Sequence, residues 1–233
     1  MIYRFPEPLV EGIFLKREKR FLAHVQLPTG EKVIAHSTNT GSLKSCLIPG
    51  APVLLSPVRN PARKTRFTWE AIRIGDTWVG VNTQIPNKLV YLALKNRRLP
   101  EFRPFDKIRT EVTFANSRFD IYMENGREKL FAEIKNVTYR EGEYALFPDA
   151  PTSRGLKHLY ELIRALEEGY RAAMIYIVPR TDTEIFAPAA DIHPEYAHVL
   201  REAHQKGLEI YPYQVKISPQ GAKIIRKLPY ELI

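Results

Sequence analysis

The chain has 233 residues, 44% of them hydrophobic, which is enough for one large domain or two small ones with proper cores. No apolar run approaches the roughly 18 residues that a membrane-spanning helix needs. Cys46 is the only cysteine, so an internal disulfide and the usual cysteine-based zinc sites are excluded. The N-terminal residues lack a signal-peptide pattern, and we therefore expect a cytoplasmic protein that does not associate with membranes.

The net charge of +9 is distributed unevenly. Residues 1–110 carry 19 basic and 8 acidic side chains, whereas residues 111–233 carry 16 and 18. A basic first part joined to a mildly acidic second part suggests that the first part binds a polyanion. A solvated surface explains the charge about equally well, so charge alone does not decide between the two.

The first part of the chain, residues 1–82, has the pattern of short strands separated by turns. The strand-like runs are 21–27, 32–37, 52–58, 66–74 and 77–82, with glycine or proline between most of them. Five short strands in about 80 residues predict a small all-β barrel, an OB-fold. An SH3-like barrel would give much the same pattern.

Basic residues of this predicted barrel are interleaved with aromatic ones, as in surfaces that bind single-stranded nucleic acid. Cations follow the phosphates there, and flat rings stack on the bases. The candidate binding residues are Arg20, Phe21, His36, Asn39, Arg63, Lys64 and Arg66. For each of the rings Phe21, Phe67 and Trp69 taken singly, a place in the barrel core is the favoured interpretation.

From residue 83 the pattern changes, and we expect a second domain over residues 83–233. Helical periodicity is found in 87–99, 153–168 and 194–206, and the strand-like runs are 117–124, 129–139, 171–178 and 208–215. Thr152 is expected to cap the second helix and Gly169 to end it. This order predicts an α/β domain whose mixed sheet is flanked by helices.

Three residues on the first two of these strands, Asp120, Glu133 and Lys135, suggest a catalytic centre. If residues 125–128 form a four-residue turn, Asp120 falls opposite Glu133. Side chains alternate along a strand, so Glu133 and Lys135 point the same way. Two carboxylates and an ammonium would then share one small patch of sheet, with Ala132 and Ile134 on the opposite, apolar side.

Two neighbouring carboxylates are suited to Mg²⁺ or Mn²⁺, which prefer oxygen ligands. Such an ion activates water and neutralises charge on a phosphodiester. Lys135 would position or deprotonate the attacking water, or stabilise the transition state. The Ile134 carbonyl is a further candidate ligand. A surface salt bridge is the alternative, and an E-x-K triplet taken alone favours it.

The predicted helix 153–168 adds a second group of candidates. His158 lies one turn after Arg154 and would contact the scissile phosphate or a nearby water. Arg154 and Lys157 would hold the phosphate backbone. Arg118, two residues before Asp120, is a further candidate for nucleic-acid binding. An ordinary solvated helix surface is the alternative for these charges.

Several segments resemble the sugar fermentation stimulation protein A (SfsA) family. They include Asn39–Gly41, Asn116–Asp120, Glu133–Thr138, Phe147–Ala150 and Thr152–Leu159. The resemblance implies an N-terminal OB-fold and a C-terminal nuclease domain of the PD-(D/E)XK superfamily. Many such nucleases carry an additional acidic metal ligand where this chain has Glu111, nine residues before Asp120; an ordinary exposed glutamate is an equally supported interpretation. Family members are described as DNA-binding and have been linked to regulation of sugar-utilisation genes. Phe119 stands where the wider superfamily has a proline, and we expect it to face away from the metal.

The leading hypothesis is a DNA-binding, Mg-dependent nuclease (a phosphodiester hydrolase), with RNA as an alternative substrate. A DNA-binding regulator with a vestigial nuclease site is the competing hypothesis. A sugar-metabolising enzyme has no support in the residues. The strandedness of the substrate stays undetermined at this point, and so does pairing into a homodimer.

Overall fold

The computed structural model describes residues 3–232, in which a barrel of short strands packs against a larger mixed sheet. The first strands are β1 (Tyr3–Arg4), β2 (Val10–Glu18), β3 (Leu22–Gln26), β4 (Lys32–His36), β5 (Pro52–Pro57), β6 (Phe67–Ile74) and β7 (Thr77–Gly80). They are followed by α1 (Ile85–Lys95), β8 (Lys107–Phe114), β9 (Ser117–Glu124), β10 (Lys129–Asn136), β11 (Tyr139–Glu141), β12 (Tyr144–Phe147), α2 (Ser153–Glu167), β13 (Arg171–Val178), β14 (Ile185–Pro188), α3 (Pro194–Gln205), β15 (Glu209–Ser218) and β16 (Gly221–Lys227). Among these residues, no helix has the length and apolar character needed to cross a membrane.

Strands β2 to β6 close into a barrel. Strand β2 pairs antiparallel with β3 and β5, β3 pairs with β4, and β5 pairs with β6. A parallel contact between β4 and β6, at Ala35 and Phe67, closes the ring. Five strands in this Greek-key order form an OB-fold, which confirms the prediction and decides against the SH3-like alternative.

The barrel uses a different set of five strands from the predicted one. The predicted strand 77–82 is β7, which pairs with β6 outside the closed ring. The first barrel strand, β2, was not predicted, because Gly12 interrupts its pattern. Glycine is required at this position, since a Cβ would lie 2.4 Å from Cγ1 of Val25 on the neighbouring strand.

The three aromatic rings considered for the barrel core have different positions. Trp69 is fully buried and stacks on Phe14 with 5.1 Å between ring centroids, as predicted. Phe67 is half-buried and packs against the same core. The core prediction is wrong for Phe21, which is 47% exposed. Lys19 and Arg20, which precede it, have left-handed backbone angles, and the resulting turn carries the ring outside the barrel.

The second domain is built on a seven-stranded sheet with the order β1-β16-β15-β13-β10-β9-β8. Strand β13 is central and lies parallel to both β10 and β15, in agreement with its continuous apolar sequence. One face of the sheet packs on α1 and the other on α2 and α3. The prediction of a mixed sheet flanked by helices is confirmed. Strands β11, β12 and β14 form a separate small sheet.

The barrel and the large sheet share one hydrophobic core. Leu54 and Ala71, on the outside of the barrel, pack into the cluster that α1 forms with the sheet. Helix α1 thus lies between the two domains, and its first turn is at their junction.

Thr152 caps α2 as predicted, since its hydroxyl accepts a hydrogen bond of 3.0 Å from the Gly155 amide. Gly169 follows the helix with φ of 85°.

Strand β1 lies in the large sheet, although it comes before the barrel in sequence. Tyr3 and Arg4 pair antiparallel with Ala222 and Gly221 on β16. A Cβ on Gly221 would lie 2.0 Å from the Tyr3 carbonyl oxygen, so only glycine allows this close approach. Residues 1–82 therefore contribute one strand to the second domain as well as the barrel.

Candidate active site at the junction of the two domains

The β9–β10 hairpin has the register that the sequence predicts. Glu124 pairs with Lys129, and the ladder continues as far as Ile121 and Ala132. In the turn between the strands, the Asn125 side chain accepts hydrogen bonds from the amides of residues 127 and 128. Asp120 and Glu133 are the next residues on the two strands, so both carboxylates are brought to the point where regular pairing stops.

The Asp120 carboxylate is held on both of its oxygens. Oδ2 accepts a hydrogen bond of 2.7 Å from the Ile134 amide, and Oδ1 accepts one of 2.7 Å from Nδ2 of Asn87 on α1. Burial and the nearby charge of Glu133 raise the pKa of Asp120 to about 6. The negative charge of Asp120 is therefore unfavourable at this buried position, although two hydrogen bonds hold the carboxylate in place. A cation bound beside the carboxylate would offset this cost.

Glu133 is buried, with 3% of its surface exposed. Its Oε1 accepts a hydrogen bond of 2.7 Å from the Lys135 ammonium and also contacts Nδ1 of His158. Burial raises the pKa of Glu133, but Lys135 and His158 outweigh it and the net shift is downward, so the group stays ionised. Its Oε2 is buried and has no hydrogen-bond partner in the described part of the chain.

The two faces of β10 are used as predicted. Glu133 and Lys135 face α2, where Nζ of Lys135 lies 3.4 Å from Nδ1 of His158. Ala132 and Ile134 pack into the core on the α1 side. His158 is buried and contacts the Glu133 carboxylate, so it is placed to hold that side chain.

Phe119 does not line the cleft, but it lies on the α2 side of the sheet and not on the opposite side, where regular alternation would place it. The ring is fully buried on the α2 side, 6.0 Å from the ring of His158 and 5.7 Å from that of Phe131. Regular pairing with both neighbouring strands is interrupted at Asp120, and this distortion brings Phe119 to the same side as His158.

Asp120, Glu133 and Lys135 line a cleft of about 450 Å³ between the two domains. One wall is the barrel segment 39–41 with Arg20, and the other is the segment 147–155 with Arg154. The two walls are joined at Asp149. Its carbonyl accepts a hydrogen bond of 2.5 Å from the Ser42 hydroxyl, and its carboxylate accepts one of 2.8 Å from the Leu43 amide. The cleft is therefore bridged on one side.

The predicted nucleic-acid-binding residues fall into two groups. Arg20, Asn39 and Arg154 line the cleft, and the buried Asn39 side chain also accepts a hydrogen bond from the Gly41 amide. The others lie outside it. Those on the barrel are Phe21, His36, Arg63, Lys64 and Arg66, and those on the second domain are Arg118 and Lys157. Lys157 donates a hydrogen bond of 2.7 Å to the Asn116 carbonyl, and Arg66 pairs with Glu31.

Glu111, predicted as an additional metal ligand, is not brought into the cleft. Its carboxylate forms an ion pair of 2.7 Å with Arg118, and both side chains are exposed. Within residues 3–232, no group of three or more His, Cys, Asp and Glu side chains could hold a metal ion. Any metal at this site would need further ligands from the backbone, water or a bound phosphate.

The donors that remain still suit a hard divalent cation. Oε2 of Glu133 is unsatisfied, the Asp120 carboxylate is beside it in the same cleft, and the Ile134 carbonyl belongs to the residue between Glu133 and Lys135. Mg²⁺ commonly binds through one or two carboxylates and keeps several waters or substrate oxygens. The residues present therefore fit Mg²⁺ or Mn²⁺.

Three residues of the site were not predicted. Asn87 holds Asp120, and Asp149 joins the walls of the cleft. The third is Arg17, whose guanidinium donates hydrogen bonds of 2.7 and 2.9 Å to the carbonyls of Asn39 and Gly41 and so fixes one wall. Asp149 lies in the segment Phe147–Ala150, which carries the family resemblance, so the sequence indicated that this segment matters. Asn87 and Arg17 lie in ordinary helix and strand sequence and gave none.

The fold and the cleft define a class of two-domain protein in which an OB barrel precedes a mixed α/β domain. Two family models match the chain. The "SfsA N-terminal OB domain" matches residues 15–81, and the "Sugar fermentation stimulation protein RE domain" matches residues 84–221. The chain belongs to the sugar fermentation stimulation protein family, and the resemblance seen in its sequence is confirmed.

Relatives match over nearly the whole chain. The sugar fermentation stimulation protein homologues of Geotalea uraniireducens and Pelobacter propionicus are 43% and 44% identical to it. The first match covers 97% of this chain and 98% of the relative, and the second covers 95% and 97%. Among solved structures, Pyrococcus furiosus SfsA in complex with Ca²⁺ superimposes with a TM-score of 0.90 at 29% identity, covering 98% of this chain and 97% of that one.

Proposed function

We propose that this protein is a metal-dependent nuclease that hydrolyses phosphodiester bonds of DNA, with RNA as the alternative substrate. The single observation that carries the proposal is the Glu133 carboxylate. It is buried and ionised, has one oxygen unsatisfied, and lies beside Asp120 and Lys135 at the floor of a cleft. A purely structural salt bridge would not need a second buried carboxylate next to it.

Asp120, Glu133 and the Ile134 carbonyl would hold Mg²⁺ or Mn²⁺. When bound, the ion supplies positive charge that stabilises the phosphodiester during attack and makes a nearby water more acidic. The P. furiosus relative was solved with Ca²⁺, another hard cation that prefers oxygen ligands, and this supports the choice of metal.

The remaining residues of the cleft have separate tasks in this proposal. Lys135 contributes its ammonium to stabilise negative charge on the phosphate or to orient the attacking water. His158 holds Glu133 from the α2 side. Arg20 and Arg154, on opposite walls, bind flanking phosphates.

The test is to incubate the purified protein with labelled DNA and RNA in Mg²⁺, Mn²⁺ or a chelator. Cleavage is expected with metal and not with chelator, and Asp120→Ala and Lys135→Ala should abolish it while binding survives. Lys206→Ala is a matched control, because this lysine is an exposed residue just beyond α3 with ion pairs to Glu167 and Glu202. Cleavage that persists in both cleft variants would refute the site assignment.

The competing function is a DNA-binding regulator without turnover. The alternative is favoured if the intact protein binds DNA with strong salt dependence and shows no cleavage in any metal. Retention of all three side chains, Asp120, Glu133 and Lys135, in one cleft speaks for the nuclease.

A further inference from the structure

Four residues on the outside of the barrel, beginning at the cleft, are exposed or half-buried. We call these residues, Arg20, Phe21, His36 and Arg63, the barrel track. We propose that the protein takes its substrate as a single strand, whose phosphates follow the barrel track and one of whose bases stacks on Phe21. This inference rests on the proposed function and specifies its substrate class.

Phe21 is unusual among the aromatic residues of the barrel. Trp69 and Phe14 stack on each other in the barrel core, whereas Phe21 lies at the tip of the β2–β3 turn with 47% of its surface exposed. The exposed ring offers apolar area that a bound ligand can cover. Aromatic rings at such loops of OB-folds provide a stacking surface for unpaired bases.

The barrel track begins at the cleft. Arg20 lines the cleft and donates a hydrogen bond of 3.3 Å to the Thr40 carbonyl of its wall. The Phe21 carbonyl accepts a hydrogen bond of 2.7 Å from the Ser37 amide, which places Phe21 next to His36. Burial and, as the smaller cause, the charge of Arg63 lower the pKa of His36. Ligand bound along these residues would enter the cleft directly.

The cations of this surface are available for phosphates. Arg20, Arg63 and Lys64 are exposed and make no ion pair with any residue between positions 3 and 232. Arg59 and Arg66 are neutralised by Glu7 and Glu31, whereas Lys19, Lys32 and Lys44 are further exposed cations of the barrel outside the track. Arg20 and Arg63 of the barrel track keep their charge for a ligand, and the complementary ligand is a polyanion.

The shape of the cleft selects for a single strand. Glu133 is 3% exposed and the Lys135 side chain 14%, so both are recessed from the surface. The contacts of Asp149 with Ser42 and Leu43 bridge the cleft beside them. Duplex DNA is stiff, with a persistence length of about 50 nm, so it reaches such a recess only with a deformation that costs free energy. A flexible single strand avoids this cost, and it also exposes the base faces that Phe21 would contact.

The experiment measures binding in EDTA by fluorescence anisotropy, with one labelled DNA sequence as a single strand and as a duplex, and with the RNA single strand. The intact protein should bind the single strands more tightly than the duplex. Phe21→Ala should weaken single-strand binding about tenfold and leave duplex binding unchanged, and Phe21→Trp should retain it. The DNA and RNA arms show which strand the site prefers.

Tyr160→Ala is the matched control, since Tyr160 is an aromatic residue with 48% exposure on α2. The proposal is overturned if the duplex binds as well as the single strand, if neither binds, or if Phe21→Ala behaves like Tyr160→Ala. EDTA suppresses cleavage, so this binding experiment does not depend on whether the protein is a nuclease. If the nuclease proposal is wrong and the single-strand proposal is right, the protein binds single strands but hydrolyses them in no metal.

Discussion

Asn87 donates a hydrogen bond of 2.7 Å to Oδ1 of Asp120, across 33 positions of sequence. Asn87 lies in the first turn of α1, directly after the barrel, and Asp120 lies on β9 of the large sheet. The other carboxylate oxygen is held by the Ile134 amide. The orientation of Asp120 therefore depends on how α1 is seated between the two domains.

Removing this hydrogen bond should impair the site without unfolding the protein. For Asn87→Ala we expect a loss of roughly 10- to 100-fold in metal affinity or cleavage rate, as is typical when a side chain that orients a metal ligand is lost. A titration of cleavage rate against Mg²⁺ measures it. Asn96→Ala is the control, because Asn96 ends the same helix and bonds only the Leu92 carbonyl there. Equal behaviour of the two variants would contradict a positioning role for Asn87.

The raised pKa of Asp120 predicts a pH-dependent stability difference. Between its ordinary value of 3.8 and about 6, the folded protein holds a proton that the unfolded chain has lost. Stability therefore falls as pH rises through this window, and the cost is complete above pH 6. Asp120→Asn removes a charge whose burial costs about 3 kcal/mol for this shift, but its amide leaves one of the two hydrogen bonds without an acceptor, at a cost of about 1 kcal/mol. In EDTA at pH 7.5 the variant should therefore be more stable than the unmodified protein by about 2 kcal/mol.

Urea unfolding at pH 4 and at pH 7.5 checks this prediction, since the gain should nearly vanish at the lower pH. Asp76→Asn is the control because the Asp76 side chain is fully exposed, and it should show no such pH dependence. A gain for Asp120→Asn that is the same at both pH values would exclude ionisation as its cause.

Gly41 provides a test of the bridge across the cleft. A Cβ at this position would lie 2.3 Å from Oδ1 and 2.7 Å from Oδ2 of Asp149. Gly41→Ala would push the carboxylate away from the Leu43 amide, with a loss of about 1–2 kcal/mol in stability for the broken hydrogen bond. Chemical denaturation measures the loss, and nuclease activity should fall with it. In Gly126→Ala the new methyl meets nothing within 4 Å, so a similar loss there would show that the effect is not specific to the cleft.

Substitution of Glu111 tests whether this residue binds metal, as the sequence predicts, or only forms an ion pair with Arg118, as in the structure. Its ion pair with Arg118 is exposed, and such pairs contribute at most about 1 kcal/mol. We expect Glu111→Gln to leave cleavage within about twofold and stability within about 0.5 kcal/mol, while Glu133→Gln abolishes cleavage. If Glu111→Gln instead shifts the Mg²⁺ dependence strongly, the residue takes part in metal binding.

The central pair of the site was predictable because its geometry is local. Asp120 and Glu133 belong to one hairpin, and the length of its turn fixes the pairing as far as Ile121 and Ala132, the residues next to them. The alternation of side chains holds on β10 and fails just beyond Asp120, at Phe119. The capping of α2 by Thr152 and the buried position of β13 were predictable for the same reason. In each case the determining residues lie within about one element of each other.

The remaining parts depend on contacts that sequence patterns do not reveal. Strand β2 was missed because Gly12 is read as a break, although its lack of a Cβ is what lets β2 pass over β3. Strand β8 was missed because an edge strand with one solvated side has no strong apolar pattern. Asp149 meets Leu43 across 106 positions, so their contact exists only after the two domains have closed on each other.

The pairing of β1 with β16 affects the order in which the chain folds as it is synthesised. All strands of the barrel are complete by residue 74, so the barrel can close early. Tyr3 and Arg4 have no partner strand until residues 221–227 have been made. This edge of the large sheet is therefore finished late, by a segment that is synthesised before the barrel. A slow final docking of β1 is the expected kinetic signature.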